Sequence, residues 1–178
     1  MIRFLDAKSK NYQTKLINFL SSRRSGKFID TTIVKKILKD VKLNKNKALL
    51  KYEKKFGNNN SIKIKDNELK TSIKSLDDKI KKSIDLAYTR IFNFHKKQRR
   101  KDIYFKDKYN NKLAYKYVPL QSVGIYVPAN LPSTLLMNSI PAKIAGVKRI
   151  VLANPKLDGK LNPAVLYAAK KVGIKEIY

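Results

Sequence analysis

The fold is predicted first from the segment Val123-Gly-Ile-Tyr-Val-Pro128. Its first five residues are typical of a buried strand, and the proline marks a turn. Three residues later, the apolar segment from Pro132 to Gly146 predicts a helix. In an α/β fold, the loop after a strand and the first turn of the next helix face the ligand-binding crevice. We therefore expect a ligand site just beyond Tyr126.

The residues after this stretch predict more of the same architecture. Arg149 to Ala153 is a compact apolar strand, Asn162-Pro163 begins a helix that ends at Gly173, and Ile174 to Tyr178 is a further strand. Strand, helix, strand, helix, strand is half of a doubly wound parallel sheet. The predicted class is α/β, in which an N-terminal helical segment precedes an incomplete doubly wound, Rossmann-like βαβαβ unit.

The first hundred residues predict helices. A stripe of apolar residues at helical spacing runs from Leu76 to Phe94, after a predicted capping box at Ser75 to Asp78. We expect an interruption at Asn44 to Asn46 and a short edge strand from Ser61 to Lys65. The predicted domains are a helical region, 1–101, and the start of a dinucleotide-binding-like domain, 102–178, which is truncated at its C-terminal end. Two further strands are expected at its beginning, Ile103 to Phe105 and Lys112 to Val118.

The composition excludes several kinds of site. The chain of 178 residues has no cysteine, which excludes disulfides and thiolate chemistry, and its single histidine, His95, cannot make a metal cluster. We therefore predict no metal ligands within this chain, and a single histidine gives no credible Ser/His/Asp set of catalytic residues. No secretory signal or membrane-length apolar run is present, so we expect a cytoplasmic protein that does not bind a membrane. The phosphate-binding pattern Gly-x-Gly-x-x-Gly is absent as well.

The net charge of +28 raises the alternative of a lysine-rich nucleic-acid-binding protein. The densest basic cluster, Lys96 to Lys101, is the candidate patch for that function. However, the excess is mostly lysine, whereas phosphate and base recognition favour arginine, and it is spread along the chain. We therefore favour solvated helix faces and regard nucleic acid as a poor candidate partner.

Tyr126 is the candidate binding residue. It lies near the end of a strand, before a loop and a helix N-terminus that carries Ser133 and Thr134. A tyrosine there could stack on a nucleotide or hydrogen-bond to it, with the helix amides near a phosphate. The alternative is a strand tyrosine that fills the interface between sheet and helix.

The same residues resemble the histidinol dehydrogenase family. The similar segments cover about residues 30–178 and follow the family in order: Ile37-Leu-Lys-Asp-Val41, Ala48-Leu-Leu-Lys-Tyr52, Phe94-His95, Val123-Gly-Ile-Tyr-Val-Pro128, Leu136-Met-Asn-Ser-Ile-Pro-Ala-Lys-Ile-Ala-Gly-Val147, Asn154-Pro155, Asp158-Gly159, Asn162-Pro163 and Leu166-Tyr-Ala-Ala169. All of them belong to the N-terminal part of a family whose members are much longer. The resemblance therefore implies an N-terminal fragment.

The resemblance implies an oxidoreductase of histidine biosynthesis, a zinc-dependent homodimer that oxidises histidinol to histidine with two NAD. The family's zinc ligands and proton-transfer residues would lie beyond this chain, so the fragment alone would be inactive. Only Tyr126 matches a family residue that contacts the cofactor. The family usually has a Gly-Gly pair after the strand, which Ala129-Asn130-Leu131 replaces here with a shorter loop. A further alternative is a shortened, non-catalytic relative that acts as a partner of a full-length subunit.

Overall fold

The computed structural model describes residues 5–24, 31–156 and 159–178. These residues form α-helices and β-strands, which confirms the predicted α/β class. The helices are α1 (Tyr12–Arg24), α2 (Thr32–Gly57), α3 (Asp66–Lys74), α4 (Asp78–Lys97), α5 (Pro132–Ala145) and α6 (Pro163–Val172). The strands are β1 (Ile103–Lys106), β2 (Lys112–Tyr115), β3 (Ser122–Tyr126), β4 (Arg149–Ala153) and β5 (Glu176–Ile177).

Two compact units divide the chain, Met1–Ala48 and Leu49–Tyr178. The first contains α1 and the beginning of α2. Within α2, Lys45 has φ 47° and ψ −128°, which is not helical geometry. The interruption predicted at Asn44 to Asn46 is therefore confirmed, as a kink within one helix.

The second unit is built on a parallel sheet in the order β3-β4-β5. Ser122 pairs with Arg149, and Val151 pairs with Glu176. Because the strand order follows the chain and such crossovers are right-handed, α5 and α6 cover the same face of the sheet. The two helices pack against each other. This is the βαβαβ arrangement that the sequence predicts.

The core of this unit lies between the sheet and its two helices. Strand residues alternate in burial: Ile125 and Leu152 are buried, whereas Gly124 and Tyr126 are exposed on the other face. The fully buried side chains that meet them are Leu135, Leu136, Ile140, Val165 and Leu166. At the ends of α5 and α6, Gly146 (φ 94°) and Gly173 (φ 92°) adopt the left-handed conformation that stops a helix and favours glycine.

Helix α4 forms an outer layer, because it packs on both α5 and α6. The Tyr167 hydroxyl donates to Asp85 at 3.2 Å from either carboxylate oxygen, and Lys171 Nζ lies 2.8 Å from the same carboxylate. The pKa of Tyr167 is raised mainly by burial and to a smaller extent by the hydrogen bond to Asp85. On the predicted apolar stripe, Ile84 is buried but Ile80 and Phe94 are exposed. The stripe is therefore only partly covered.

Two local predictions are wrong. The segment Ser61 to Lys65 is not a strand; it leads into α3, and only the Ile64 amide donates to Ile177 O, at 3.1 Å. The cap of α4 is Asp77, whose carboxylate accepts from the Lys79 amide at 2.6 Å. Ser75 instead follows the last residue of α3, where its hydroxyl donates to Ser72 O. The sequence analysis did not predict α3. Because Ser75 ends that helix, it has no role in capping α4.

Strands β1 and β2 form an antiparallel hairpin in which Ile103 pairs with Tyr115 and Phe105 with Leu113. The second strand ends at Tyr115, earlier than the predicted Val118. The domain boundary predicted between residues 101 and 102 stays a prediction. In the part of the chain that the structure describes, no helix has the length and apolar character needed to span a membrane.

Candidate functional site

The candidate site is the edge of the sheet where β3, β4 and β5 end. Tyr126 pairs with Ala153 at the ends of β3 and β4, and the Val127 amide donates to Ala153 O at 3.0 Å. On the other side of β4, the Tyr178 amide donates to Leu152 O and the Asn154 amide donates to Tyr178 O, each at 2.8 Å. The three carboxyl ends therefore lie side by side, where an open parallel sheet places its ligands.

Tyr126 lies on the face of the sheet that α5 and α6 leave free. Its side chain is 67% exposed, while Ile125 and Val127 on either side of it are buried among the helices. The ring does not fill the interface between sheet and helix, so the structural alternative for this tyrosine is wrong. Tyr126 presents an aromatic face and a hydroxyl to solvent at the carboxyl edge.

The loop from Val127 to Leu131 is held by two asparagine side chains from the next crossover. Asn154 Nδ2 donates to Val127 O at 2.9 Å and to Pro128 O at 3.3 Å. Asn162 Nδ2 lies 3.3 Å from Asn130 Oδ1, and its own Oδ1 caps α6 through the Ala164 amide at 2.9 Å. A loop without glycine is therefore fixed from outside by hydrogen bonds.

The N-terminus of α5 follows this loop directly. The capping residue is Leu131, whose side chain cannot accept a hydrogen bond, and Pro132 occupies the first turn. Ser133 is exposed and Thr134 is half-buried. With no side-chain oxygen on its first amides, the helix end keeps its partial positive charge available to an anion. The predicted group of Tyr126, Ser133 and Thr134 thus belongs to one strand, loop and helix start.

Comparison with known proteins identifies the family. The family model "Histidinol dehydrogenase" matches residues 22–178. The chain belongs to the histidinol dehydrogenase family.

Individual relatives agree with this family. The chain is 54% identical, over its full length, to the histidinol dehydrogenase of Pelagibacter ubique, of which it covers 42%. It is 41% identical over 79% of its length to the enzyme of Idiomarina loihiensis, of which it covers 33%. The crystal structure of histidinol dehydrogenase from Elizabethkingia anophelis superposes with a TM-score of 0.80 at 34% identity, covering 85% of this chain and 37% of that one. The chain thus spans about two fifths of the length of the curated relatives it matches.

The described residues were also compared with the zinc ion that the resemblance implies. Among residues 5–24, 31–156 and 159–178, no group of three or more His, Cys, Asp and Glu side chains could hold a metal ion. His95 lies in the last turn of α4, where its Nδ1 is 2.6 Å from Gln98 Oε1 and its ring meets Phe94 edge-on. These residues alone do not fit a zinc ion.

Asn154 is the residue that the sequence did not single out. Its side chain is 3% exposed and joins the end of β4 to the loop after β3. Asn154-Pro155 was named only among the segments that resemble the family, and Asp158 of the same resemblance lies outside the described residues. A polar residue directly after an apolar strand was the available signal, but its partner is 27 residues away in the chain.

Proposed function

We propose that this chain supplies the N-terminal, dinucleotide-binding part of a histidinol dehydrogenase and contacts NAD through Tyr126. One observation supports this most strongly: Tyr126 is exposed at the carboxyl edge of the parallel sheet, directly before an uncapped helix N-terminus. The proposed domain that carries this site begins at residue 102.

The residues at this edge fit a dinucleotide. The Tyr126 ring would stack against a base or nicotinamide ring, and its hydroxyl would bond to a polar group of the cofactor. The first amides of α5, together with Ser133 and Thr134, would face a phosphate. When bound, NAD supplies the hydride acceptor for the two oxidation steps. The part of the chain described here would hold and orient the cofactor.

The zinc ion, the proton-transfer groups and histidinol itself are assigned to the part of the enzyme outside the matched region. This assignment is what the resemblance to the family implies. The chain alone is therefore expected to be inactive. In the whole enzyme we propose a cytoplasmic homodimer that oxidises histidinol to histidine.

Tyr126 variants test the proposal. The chain would be co-expressed with the segment of Pelagibacter ubique histidinol dehydrogenase that it does not match. NAD affinity would be measured by titration, and histidinol oxidation by the absorbance of NADH. Tyr126→Ala should weaken NAD binding by ~10-fold or more, because stacking of a base on an aromatic ring is worth about 1–3 kcal/mol. Tyr126→Phe keeps the ring and should retain most of the affinity.

Tyr109→Ala is the matched control, because Tyr109 is a similarly exposed tyrosine in the hairpin loop. Unchanged NAD affinity in Tyr126→Ala would remove the role given to this residue. A complex that binds NAD but does not oxidise histidinol would favour the alternative of a non-catalytic relative.

Neither the structure nor the comparisons support the nucleic-acid-binding alternative. Its candidate cluster, Lys96 to Lys101, lies at the end of α4, where the helix dipole favours basic side chains. Tight binding to DNA or RNA at physiological salt, falling steeply as salt rises, would revive it.

A further inference from the structure

The β1–β2 hairpin has one largely apolar face. The register places Ile103, Phe105, Leu113 and Tyr115 on the same side, since Ile103 pairs with Tyr115 and Phe105 with Leu113. These four residues, called here the apolar hairpin face, are 60%, 57%, 60% and 58% exposed. Tyr117 extends the face, because its ring centroid lies 4.9 Å from that of Tyr115.

The opposite face of the hairpin differs from the apolar face by its two lysines. It carries Tyr104, Lys106, Lys112 and Ala114, and the two lysines are directly paired. Alternation of this kind is typical of a strand pair that buries one face and solvates the other. A two-stranded hairpin has little stability of its own until such a face is covered.

Both ends of the hairpin are fixed although its apolar face is exposed. At the turn, the Asp107 carboxylate accepts from the Tyr109 amide, the Asn111 amide and Asn111 Nδ2, each at 2.8 Å. At the base, Asp102 Oδ1 accepts from the Tyr117 amide at 2.9 Å. The strands are thus preorganised, and a partner that binds them spends little free energy on ordering them.

A second copy of this chain is a poor partner for the face. Between Arg99 and Val118 the sequence has seven basic and two acidic residues, so two apolar hairpin faces placed together would bring like charges together at their rims. Four side chains are also far fewer than the roughly 20–30 residues that each partner gives to a stable interface. The face therefore suits one part of a larger contact, with a partner of apolar centre and acidic rim.

We propose that the apolar hairpin face is the docking surface for the segment of histidinol dehydrogenase that this chain does not match. More than half of the Pelagibacter ubique relative lies outside the matched region, so a polypeptide long enough to cover the face exists in the family. The inference rests on the proposed function, because it takes the chain to be one part of that enzyme. It adds the surface by which that part joins the rest.

The experiment measures complex formation without NAD or histidinol. The unmatched segment of the Pelagibacter ubique enzyme, carrying an affinity tag, is co-expressed with the chain, and the dissociation constant of the purified complex is determined. The double variant Phe105→Thr, Leu113→Thr alters one cross-strand pair of the apolar face. The control Tyr104→Thr, Ala114→Thr alters the adjacent pair on the opposite face. Threonine keeps the preference for strand conformation in both.

The apolar-face variant should bind the segment at least ~10-fold more weakly, while the control should stay within about threefold of the unaltered chain. Hydrogen exchange on the unaltered chain gives a second measurement: the amides of residues 103–117 should become protected when the segment is added. All the altered residues are exposed, so the core of the unit is expected to remain folded.

Three results would overturn the proposal. The unaltered chain and the segment could both be soluble and fail to associate, or the two double variants could weaken binding equally. The isolated chain could also sediment as a dimer that only the apolar-face variant dissociates, which would make a second copy the occupant.

The proposed function fails separately from this inference. A complex that depends on the apolar face but binds no NAD would keep the docking surface and reject the dinucleotide site. A complex that reduces NAD and is unaffected by the apolar-face variant would do the reverse.

Discussion

The β3–β4–β5 sheet and the β1–β2 hairpin contain similar residues but differ in what covers them. In the sheet, Leu152 is fully buried, since the crossovers that join the strands are themselves the helices α5 and α6. In the hairpin, Leu113 is 60% exposed, because a short turn joins the strands and brings no covering layer. A parallel sheet carries its cover in its own connections, whereas a hairpin must obtain cover from elsewhere.

The largest difference between the two regions should appear when a leucine is truncated in each. Leu152→Ala leaves a cavity beneath α5 and α6 and should lower the free energy of unfolding by about 2–5 kcal/mol. Leu113→Ala removes an exposed side chain and should change it by less than about 0.5 kcal/mol. Urea denaturation of the isolated chain measures both. Equal losses would mean that the hairpin face is covered in solution.

The two regions also differ in the polar side chains that hold their loops, Asn154 beside the sheet and Asp107 in the hairpin turn. Asn154→Ala leaves Val127 O and Pro128 O without their buried donor and should cost about 1–3 kcal/mol of unfolding free energy. Asp107→Ala removes three hydrogen bonds from the exposed hairpin turn. It should loosen the hairpin, as seen in faster amide exchange at residues 103–115, with little change in global unfolding. The comparison would fail if Asp107→Ala destabilised the whole unit more than Asn154→Ala did.

A smaller change in the free energy of unfolding is expected in α4, the outer layer over the sheet. Asp77→Ala removes the side-chain cap of α4 and should lower the free energy of unfolding by ~1 kcal/mol. Ser75→Ala is the matched control, because Ser75 bonds to Ser72 O and not to α4. Thermal unfolding followed by circular dichroism distinguishes the two. A larger loss for Ser75→Ala would restore the capping box predicted from the sequence.

The smallest expected effect concerns Arg149 and Glu176, which join β4 to β5 through two hydrogen bonds of 2.7 Å. The bond from Arg149 lowers the pKa of Glu176. A carboxylate with a lowered folded-state pKa adds stability above its ordinary range and loses it as the pH falls through the folded value. Glu176→Gln should therefore reduce the melting temperature slightly at neutral pH, and the difference from the unaltered chain should vanish in acid. Arg149→Gln should show the same pH dependence, with no further loss in the double variant.

The sequence predicts the α/β unit well where the signals are local. Strand β4 is observed at the predicted residues, Arg149 to Ala153, and α6 begins after its Asn162 cap and ends at Gly173 as expected. Each of these boundaries depends on side chains within a few residues of it. The kink at Lys45 was also predictable from local sequence, because an asparagine lies on each side of it.

The failures have non-local causes or follow from a missed element. Ser61 to Lys65 alternates like a strand, but the acids Asp66 and Glu68 in the first turn of α3 were a helix signal that the alternation concealed. The periodicity of α4 could not show that Phe94 is exposed, since that depends on which elements pack beside it.

Some features of the candidate site were likewise predictable from local sequence, and others were not. The position of Tyr126 at a strand end follows from the sequence, but the face it occupies depends on both crossovers lying on the opposite side. The hold of Asn154 on Val127 joins two crossovers, and no local pattern encodes it. Contact between Tyr126 and NAD remains a proposal.

The strand order β3-β4-β5 also has a consequence for how the unit assembles during synthesis. Strand partners such as Ser122 and Arg149 are only 27 positions apart, so contact order in this sheet is low for a parallel arrangement. Each strand can pair with the preceding strand once it and the single helix that connects them have left the ribosome. Because the order of translation matches the order of pairing, we expect the nascent sheet to grow one strand at a time, without a long wait for a distant partner.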